Sequence, residues 1–159
     1  PEVLKNALLA AGPRVAFAAS CTGGLASALL TSVPGASDVL KGSVVAYANE
    51  IKRDLLGVPR EMLEEHGAVS RPTAIAMAEG VRRQCNAEWG LAITGIAGPG
   101  GATPDKPLGT VHFAAVIGTS ARHQHRIIPG DRCRVQRMSA YLALNWLRCL
   151  LHDPNAALV

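Results

Sequence analysis

Aromatic side chains are scarce in this sequence. Phe, Trp and Tyr make up only 4% of the 159 residues, whereas alanine and the 16 glycines are abundant. This composition favours helices packed closely against a sheet over an aromatic-rich β-sandwich, and it therefore predicts an α/β fold. Because 48% of the residues are hydrophobic, the chain can bury one substantial core, and we expect a single domain over residues 1–159.

Signals for disulfides, metal knots and membranes are also missing. The four cysteines, at positions 21, 85, 133 and 149, form no Cys-x-x-Cys pair and no regular framework. We therefore expect neither a zinc knot nor a secreted disulfide scaffold. We do expect a reducing compartment. No apolar run suits a signal peptide or a membrane span, so we expect a soluble, cytoplasmic protein without a membrane partner.

The formal net charge of +4 is modest, and the basic residues form no separate arm. The densest basic stretch contains Arg122, Arg126, Arg132, Arg134 and Arg137. Arginine can fork onto phosphate oxygens, which is compatible with an anionic ligand, although a solvated helix face is the alternative for most of these side chains. A nucleic-acid-binding module is disfavoured, because aromatic groups for base stacking are nearly absent.

Short apolar runs alternate with glycine turns and helical patterns. Residues 14–18, 42–47 and 91–93 are predicted strands, and the first of them leads through a glycine turn into a helix at residues 25–30. The third strand runs into residues 94–101, which are too rich in glycine to be anything but a loop. Such a loop follows the carboxyl end of a strand, where open α/β sheets bind their ligands.

Capping residues mark the starts of three further helices. Asn49 is predicted to cap a helix that ends before Gly57, and Ser70 and Asp131 are predicted to open the next two. The last helix carries one apolar stripe, formed by Val135, Met138, Leu142, Trp146 and Cys149, and a polar tail follows it. Residues 108–117 and 122–128 are predicted to form an antiparallel hairpin, which makes the sheet mixed.

Ser20 lies where the first strand gives way to its helix. Its hydroxyl can face a pocket there, while backbone N–H groups near Cys21 and Thr22 point at a developing oxyanion. The alternative is that Ser20 or Thr22 simply caps the helix. The turn by itself leaves both interpretations open.

A serine nucleophile needs a base, and the sequence offers no histidine triad. His66, His112, His123, His125 and His152 all lie outside the glycine-rich turns. Lys52 is the more interesting base, because a desolvated lysine can lose its proton near neutral pH, and Tyr47 is predicted to lie beside it; an exposed helix lysine is the alternative. His123 and His125 share a strand face, but no third ligand is evident, so we expect no metal site.

The glycine loop at residues 94–101 fits neither the dinucleotide fingerprint nor the phosphate loop, although its backbone can approach a ligand closely. The segment at residues 103–107 continues it, either as part of a binding loop or as a rigid surface turn.

Four segments taken in order carry a family resemblance. They are Ala18-Ala19-Ser20-Cys21-Thr22-Gly23-Gly24, Ala46-Tyr47-Ala48-Asn49-Glu50-Ile51-Lys52, the stretch from Thr94-Gly95-Ile96-Ala97-Gly98-Pro99-Gly100-Gly101 through Pro104-Asp105-Lys106-Pro107, and Gly130-Asp131-Arg132. The sequence resembles the C-terminal domain family of the competence-damage-inducible protein CinA, which includes stand-alone nicotinamide-nucleotide amidases.

The resemblance implies a three-layer α/β/α fold with a mixed, mainly parallel sheet, and a homo-oligomer. It implies hydrolysis of the carboxamide of nicotinamide mononucleotide to nicotinate mononucleotide and ammonia, without metal or organic cofactor. Ser20 is then the nucleophile, helped by Tyr47 and Lys52. The residues expected around the substrate are Cys21, Thr22, Gly23, Thr94, Gly95, Gly98, Gly100, Gly101, Lys106 and Arg132.

Two positions depart from the family pattern. Ala19 stands where the family usually has an acidic residue before the serine, and Gln136 stands where it usually has a second arginine after Gly-Asp-Arg. A non-catalytic nucleotide-binding or regulatory domain is therefore the main alternative to an amidase, and saturable binding without product would support it.

Overall fold

The computed structural model describes residues 1–158, so the predicted domain boundary at residue 159 lies outside the described residues. These residues form six α-helices, five strands and a short 3₁₀ helix at Ala36–Asp38. The helices are α1 (Glu2–Ala11), α2 (Leu25–Thr31), α3 (Asn49–Asp54), α4 (Arg60–His66), α5 (Arg71–Gln84) and α6 (Arg132–His152). The strands are β1 (Val15–Ala19), β2 (Leu40–Val45), β3 (Trp89–Gly95), β4 (Thr110–Ile117) and β5 (Ser120–Ile127).

The strands form one mixed sheet in the order β2-β1-β3-β4-β5. Strand β1 is parallel to both β2 and β3, whereas β4 is antiparallel to β3 and β5. The carboxyl ends of β1, β2 and β3 therefore meet at one edge of the sheet, as the α/β prediction requires. The hairpin of β4 and β5 confirms the predicted antiparallel pair.

Helices cover both faces of this sheet, which confirms the three-layer architecture. On one face, Leu8 of α1, Leu30 of α2 and Trp146 of α6 belong to the same buried cluster as Phe17 of β1. On the other face, α5 packs against Ala18 and the other small side chains that alternate with the large ones along the strands. None of the helices within residues 1–158 is long and apolar enough to cross a membrane.

Small residues let α5 approach the sheet closely. A Cβ atom on Gly90 of β3 would lie 2.1 Å from the carbonyl oxygen of Ala78, and one on Gly80 would lie 1.9 Å from that of Leu56. Both distances are shorter than van der Waals contact, so a side chain at either position would push the helix away. The abundance of glycine and alanine in the sequence thus has a packing reason.

The predicted helix caps are right in two cases and wrong in one. The Ser70 side chain accepts a hydrogen bond from the Thr73 N–H, and the Asp131 side chain accepts one from the Arg134 N–H. The prediction for Asn49 is wrong, because Asn49 is the first residue of α3, and the structure describes no side-chain capping bond at that helix start.

The predicted polar tail is in fact folded onto the domain. Leu158 is fully buried in the cluster that contains Trp146, and the Trp146 indole Nε1 donates to the carbonyl oxygen of Ala156 over 2.8 Å. Arg122 Nε donates to the Pro154 carbonyl oxygen over 2.8 Å. The predicted stripe of α6 is wrong at Met138, which is 38% exposed.

We predict that Gly90→Ala destabilises the protein by about 1–3 kcal/mol, because α5 must move off the sheet to admit the methyl group. Urea unfolding of purified variants measures this change. Gly100→Ala is the matched control, since no atom of the described residues lies within 4 Å of a Cβ atom built there. Equal free energies of unfolding for the two variants would contradict this account of the packing.

Candidate active site

Ser20 lies just past β1, at the sheet edge where the three parallel strands end. Its N–H donates to the Ile93 carbonyl oxygen over 2.9 Å, and the Ala46 N–H donates to the Ala19 carbonyl oxygen over 2.8 Å. Strand pairing therefore continues one residue beyond β1 and places Ser20 between Ala46 on one side and Thr94 on the other.

The helix-cap interpretation of Ser20 and Thr22 is wrong. The residue that caps α2 is Gly24, in a left-handed conformation with φ 90°, and neither Ser20 nor Thr22 makes a side-chain capping bond to that helix. The Ser20 side chain makes no hydrogen bond to any described residue, and the Thr22 Oγ1 atom is buried without a hydrogen-bond partner among residues 1–158. Both hydroxyls therefore remain available to a ligand.

Lys52 is the largest polar side chain buried next to this turn, with 1% of its surface exposed. Its Nζ donates to the carbonyl oxygens of Ala46 and Tyr47 over 2.8 and 2.9 Å. Burial lowers the pKa of the Lys52 amine, and the nearby Cys21 opposes this in part. A neutral amine has two N–H groups and one lone pair, so the two carbonyls leave the lone pair free to accept a proton. The interpretation of Lys52 as an exposed helix lysine is wrong.

The pKa of the Cys21 thiol depends on the charges and backbone dipoles beside Ser20. Burial raises the pKa of the Cys21 thiol to about 12, and this rise is opposed by the backbone N–H groups of Cys21 and Thr22 and by the charges of Arg132 and Lys52. A thiol with this pKa stays protonated at neutral pH. The opposing groups are all positive charges or N–H dipoles, and they offset part of the cost of burying an anion at this turn.

Arg132 joins three segments around the candidate site. Its Nη1 donates to the Gly98 carbonyl oxygen and its Nη2 to the Tyr47 hydroxyl, both over 2.9 Å. Tyr47 is 59% exposed, so this hydroxyl lies at the rim of the site. A guanidinium carries five N–H groups, and the bonds found within the described residues leave donors for a bound anion.

The glycine loop has both packing and conformational reasons for its glycines. A Cβ atom on Gly95 would lie 2.7 Å from the Thr110 carbonyl oxygen, which excludes a side chain there. Gly98 and Gly101 have φ values of 85° and 92°, in the left-handed region that glycine favours. Gly23, with φ 60°, meets the same requirement in the Ser20 turn.

Two of the predicted substrate contacts are occupied by protein groups. The Thr94 hydroxyl donates to the Ala68 carbonyl oxygen over 2.8 Å, and the Lys106 Nζ donates to the His66 carbonyl oxygen over 2.9 Å. Both therefore hold the segment that connects α4 to α5. Contact of Thr94 or Lys106 with a substrate stays a prediction.

Gln136 makes a contact that the sequence did not indicate. Its side-chain Nε2 donates to the Cys21 carbonyl oxygen over 2.8 Å. The sequence marked this position only as a departure from a family pattern, because 115 residues separate the two groups along the chain.

The basic stretch is largely engaged within the protein. Arg122 and Arg126 donate to carbonyl oxygens of the folded tail, and Arg134 Nε donates to the Pro129 carbonyl oxygen over 3.1 Å. Arg132 belongs to the site described above. These arginines therefore do not form a continuous free stripe of the kind a nucleic-acid backbone requires.

A third imidazole joins the two that the sequence placed together. His112 of β4 lies opposite His125 of β5, and its Nδ1 is 2.9 Å from the Nε2 of His123. The ring centroids of His112 and His125 are 4.8 Å apart. Within residues 1–158, no group of three His, Cys, Asp or Glu side chains is arranged to hold a metal ion.

Comparison with known proteins relates the whole fold to one family. The model of the CinA C-terminal domain matches residues 1–151. A CinA-like protein from Anaeromyxobacter sp. (strain K) is 56% identical over 151 residues, which cover 95% of this chain and 37% of that protein. A CinA-like protein from Mycobacterium avium (strain 104) is 50% identical over 152 residues, which cover 92% and 35%. The chain thus spans little more than a third of the length of these relatives.

Solved structures agree with this relationship over nearly the whole chain. Competence damage-inducible protein A (ComA) from Klebsiella pneumoniae subsp. pneumoniae MGH 78578 is 32% identical, with a TM-score of 0.92 over 96% of this chain and 94% of that one. Competence/damage inducible protein CihA from Agrobacterium tumefaciens is 36% identical, with a TM-score of 0.88 over 96% and 98%.

We predict that His112 makes the protein less stable in acid. Burial, assisted by His125, His123 and Lys106, lowers the pKa of His112 from 6.5 to about 4. As the pH falls from 6.5 to 4, His112 therefore binds a proton in the unfolded chain but stays unprotonated in the folded chain. Because the unfolded state binds more protons, the free energy of unfolding falls over this range.

Urea unfolding at both ends of that range measures the effect. We expect a smaller loss of stability in His112→Gln than in the parent protein, and no such change in the control His152→Gln, which alters an exposed side chain. An equal loss in all three proteins would show that His112 is not responsible.

Proposed function

The chain belongs to the CinA C-terminal domain family, and we propose that it is a nicotinamide-nucleotide amidase with Ser20 as nucleophile. In this reaction the carboxamide of nicotinamide mononucleotide is hydrolysed to nicotinate mononucleotide and ammonia. The observation that carries the proposal is the buried Lys52 amine, whose two carbonyl acceptors, Ala46 and Tyr47, leave a lone pair beside the Ser20 turn.

The first half of the reaction forms an ester with the enzyme. Neutral Lys52, next to Tyr47, takes the proton of the Ser20 hydroxyl as its oxygen attacks the amide carbon. Backbone N–H groups of the turn hold the oxyanion, close to Arg132 and Lys52, whose charges oppose the rise that burial causes in the pKa of the Cys21 thiol. The C–N bond then breaks, and the leaving nitrogen takes the proton back from Lys52 as ammonia.

The second half hydrolyses this ester. Lys52 takes a proton from a water molecule, whose oxygen attacks the acyl carbon. The C–O bond to Ser20 breaks, and the serine oxygen recovers the proton from Lys52. These steps use only side chains and backbone groups of this chain.

The remote phosphate of the substrate orients the reacting carbon. Arg132 is tied to Gly98 of the glycine loop and to Tyr47, and its remaining N–H groups can bind the phosphate. Binding energy of this kind lowers the entropy cost of placing the amide against Ser20. On family grounds we also propose that the protein is a cytoplasmic homo-oligomer.

We predict that Ser20→Ala lowers ammonia release from nicotinamide mononucleotide by at least about 10³-fold, because no other group supplies the nucleophile. The assay contains a chelator, and calorimetry measures nucleotide binding, which the variant should retain. Ser37→Ala is the matched control. It changes an exposed serine outside the candidate site and should keep the parent rate.

Unchanged ammonia release from pure Ser20→Ala would sink the nucleophile assignment. If the parent protein releases no ammonia while both proteins bind the nucleotide saturably, the domain is a non-catalytic nucleotide-binding domain instead.

We also predict that kcat/KM rises as the pH increases through the lowered pKa of Lys52. Only the deprotonated amine acts as base, and since burial lowers its pKa, the rate should level off below the ordinary lysine value of 10.5. Lys52→Arg should be inactive, because a guanidinium does not deprotonate, whereas the exposed Lys41→Arg should behave like the parent. An active Lys52→Arg variant would remove Lys52 from the mechanism.

A further inference from the structure

We propose that Gln136 is a positioning residue that aims the Thr22 N–H at the carbonyl oxygen of the substrate. This inference rests on the proposed amidase reaction and adds to it a named donor and the side chain that orients it. Gln136 itself does not touch the reacting atoms.

Gln136 reaches the Ser20 turn from α6. It lies four residues after Arg132, so the two side chains share one face of that helix and both point to the candidate site. Val135, between them in sequence, is fully buried and fixes this part of the helix against the sheet. The Gln136 Nε2 then donates to the Cys21 carbonyl oxygen over 2.8 Å.

Holding the Cys21 carbonyl also sets the direction of the Thr22 N–H. Both groups belong to one planar trans peptide, in which C=O and N–H point in opposite directions. With the carbonyl bound to α6, the N–H must point away from α6. Burial raises the pKa of the Cys21 thiol, and the Thr22 N–H opposes this rise together with Arg132 and Lys52, so all three groups lie near that thiol.

The side chain of Thr22 supports the same direction. Thr22 is 4% exposed, yet its Oγ1 has no hydrogen-bond partner among residues 1–158. A buried hydroxyl without a partner is rare in proteins and indicates a group that a ligand or a water molecule satisfies. The buried peptide and hydroxyl of Thr22 thus offer donors in the turn that carries Ser20.

The amide of Gln136 supplies this hydrogen bond without a charge. An arginine at this position would also donate, but it would add a cation near Lys52 and lower the pKa of the Lys52 amine further. A neutral donor therefore orients the turn and leaves the base unaffected. The presence of glutamine instead of the family's usual arginine at position 136 should therefore change the pH dependence of the reaction, which can be measured.

The test compares kcat and KM for ammonia release from nicotinamide mononucleotide in Gln136→Met, Gln136→Arg and the parent protein. Gln136→Met keeps the length of the side chain but cannot donate, and we expect kcat to fall about 10- to 100-fold, below the full loss of an oxyanion donor, with KM changed by less than about 2-fold. Gln136→Arg should restore kcat and shift the rise of kcat/KM to lower pH. The neighbouring Arg137→Met is the control and should match the parent.

Each outcome bears on the inference. A parent-like kcat in Gln136→Met overturns it, and so does an equal loss in Gln136→Met and Gln136→Arg, which would indicate a structural role only. If the parent protein releases no more ammonia than Ser20→Ala, the proposed function fails instead, and the inference with it. Where Gln136→Met folds poorly, the Thr22 amide resonance of the parent protein decides: it should shift when nicotinate mononucleotide binds, and an unshifted resonance in the nucleotide-bound parent overturns the inference.

Discussion

The candidate site depends on one buried amine held between two carbonyl groups. Removing a lysine ammonium from water is costly, so a Lys52 side chain with 1% exposure persists only because its amine bonds to Ala46 and Tyr47 and because its charge is readily lost. These carbonyls follow β2, and the Ala46 N–H bonds to Ala19, next to Ser20. The sheet edge thus places the proposed base, Lys52, and the proposed nucleophile, Ser20, in neighbouring segments.

Helix α6 supplies the second constraint, since one face of it reaches two separate loops. Arg132 binds the glycine loop at Gly98, and Gln136 binds the Ser20 turn at Cys21. A shift of this helix would disturb the proposed phosphate site and the proposed oxyanion site at once. The folded tail bears on the same helix, because Ala156 accepts the Trp146 indole hydrogen bond.

Positive groups are divided between two regions with different consequences. Around Ser20, the charge of Arg132, and that of Lys52 once it has taken a proton, offset part of the cost of burying a negative charge. On the hairpin, like-charged neighbours and burial lower the pKa of His112 and His123, so these imidazoles are uncharged near neutral pH. Lowering the pH would therefore protonate the hairpin imidazoles, whereas raising it would deprotonate the Lys52 amine of the candidate site.

The sequence by itself determined the five strands and most of the helices, the caps at Ser70 and Asp131, the hairpin and the placement of Ser20 at a strand end, because short-range periodicity and turn chemistry decide these features. Its motifs also predicted that Ser20, Tyr47 and Lys52 lie close together. It missed α1, α4, the buried Leu158 and the Gln136 contact with Cys21. Only the tertiary structure decided the packing of α1, the burial of Leu158 and the Gln136 contact, because each depends on groups far apart in the chain that meet only after the helices pack on the sheet.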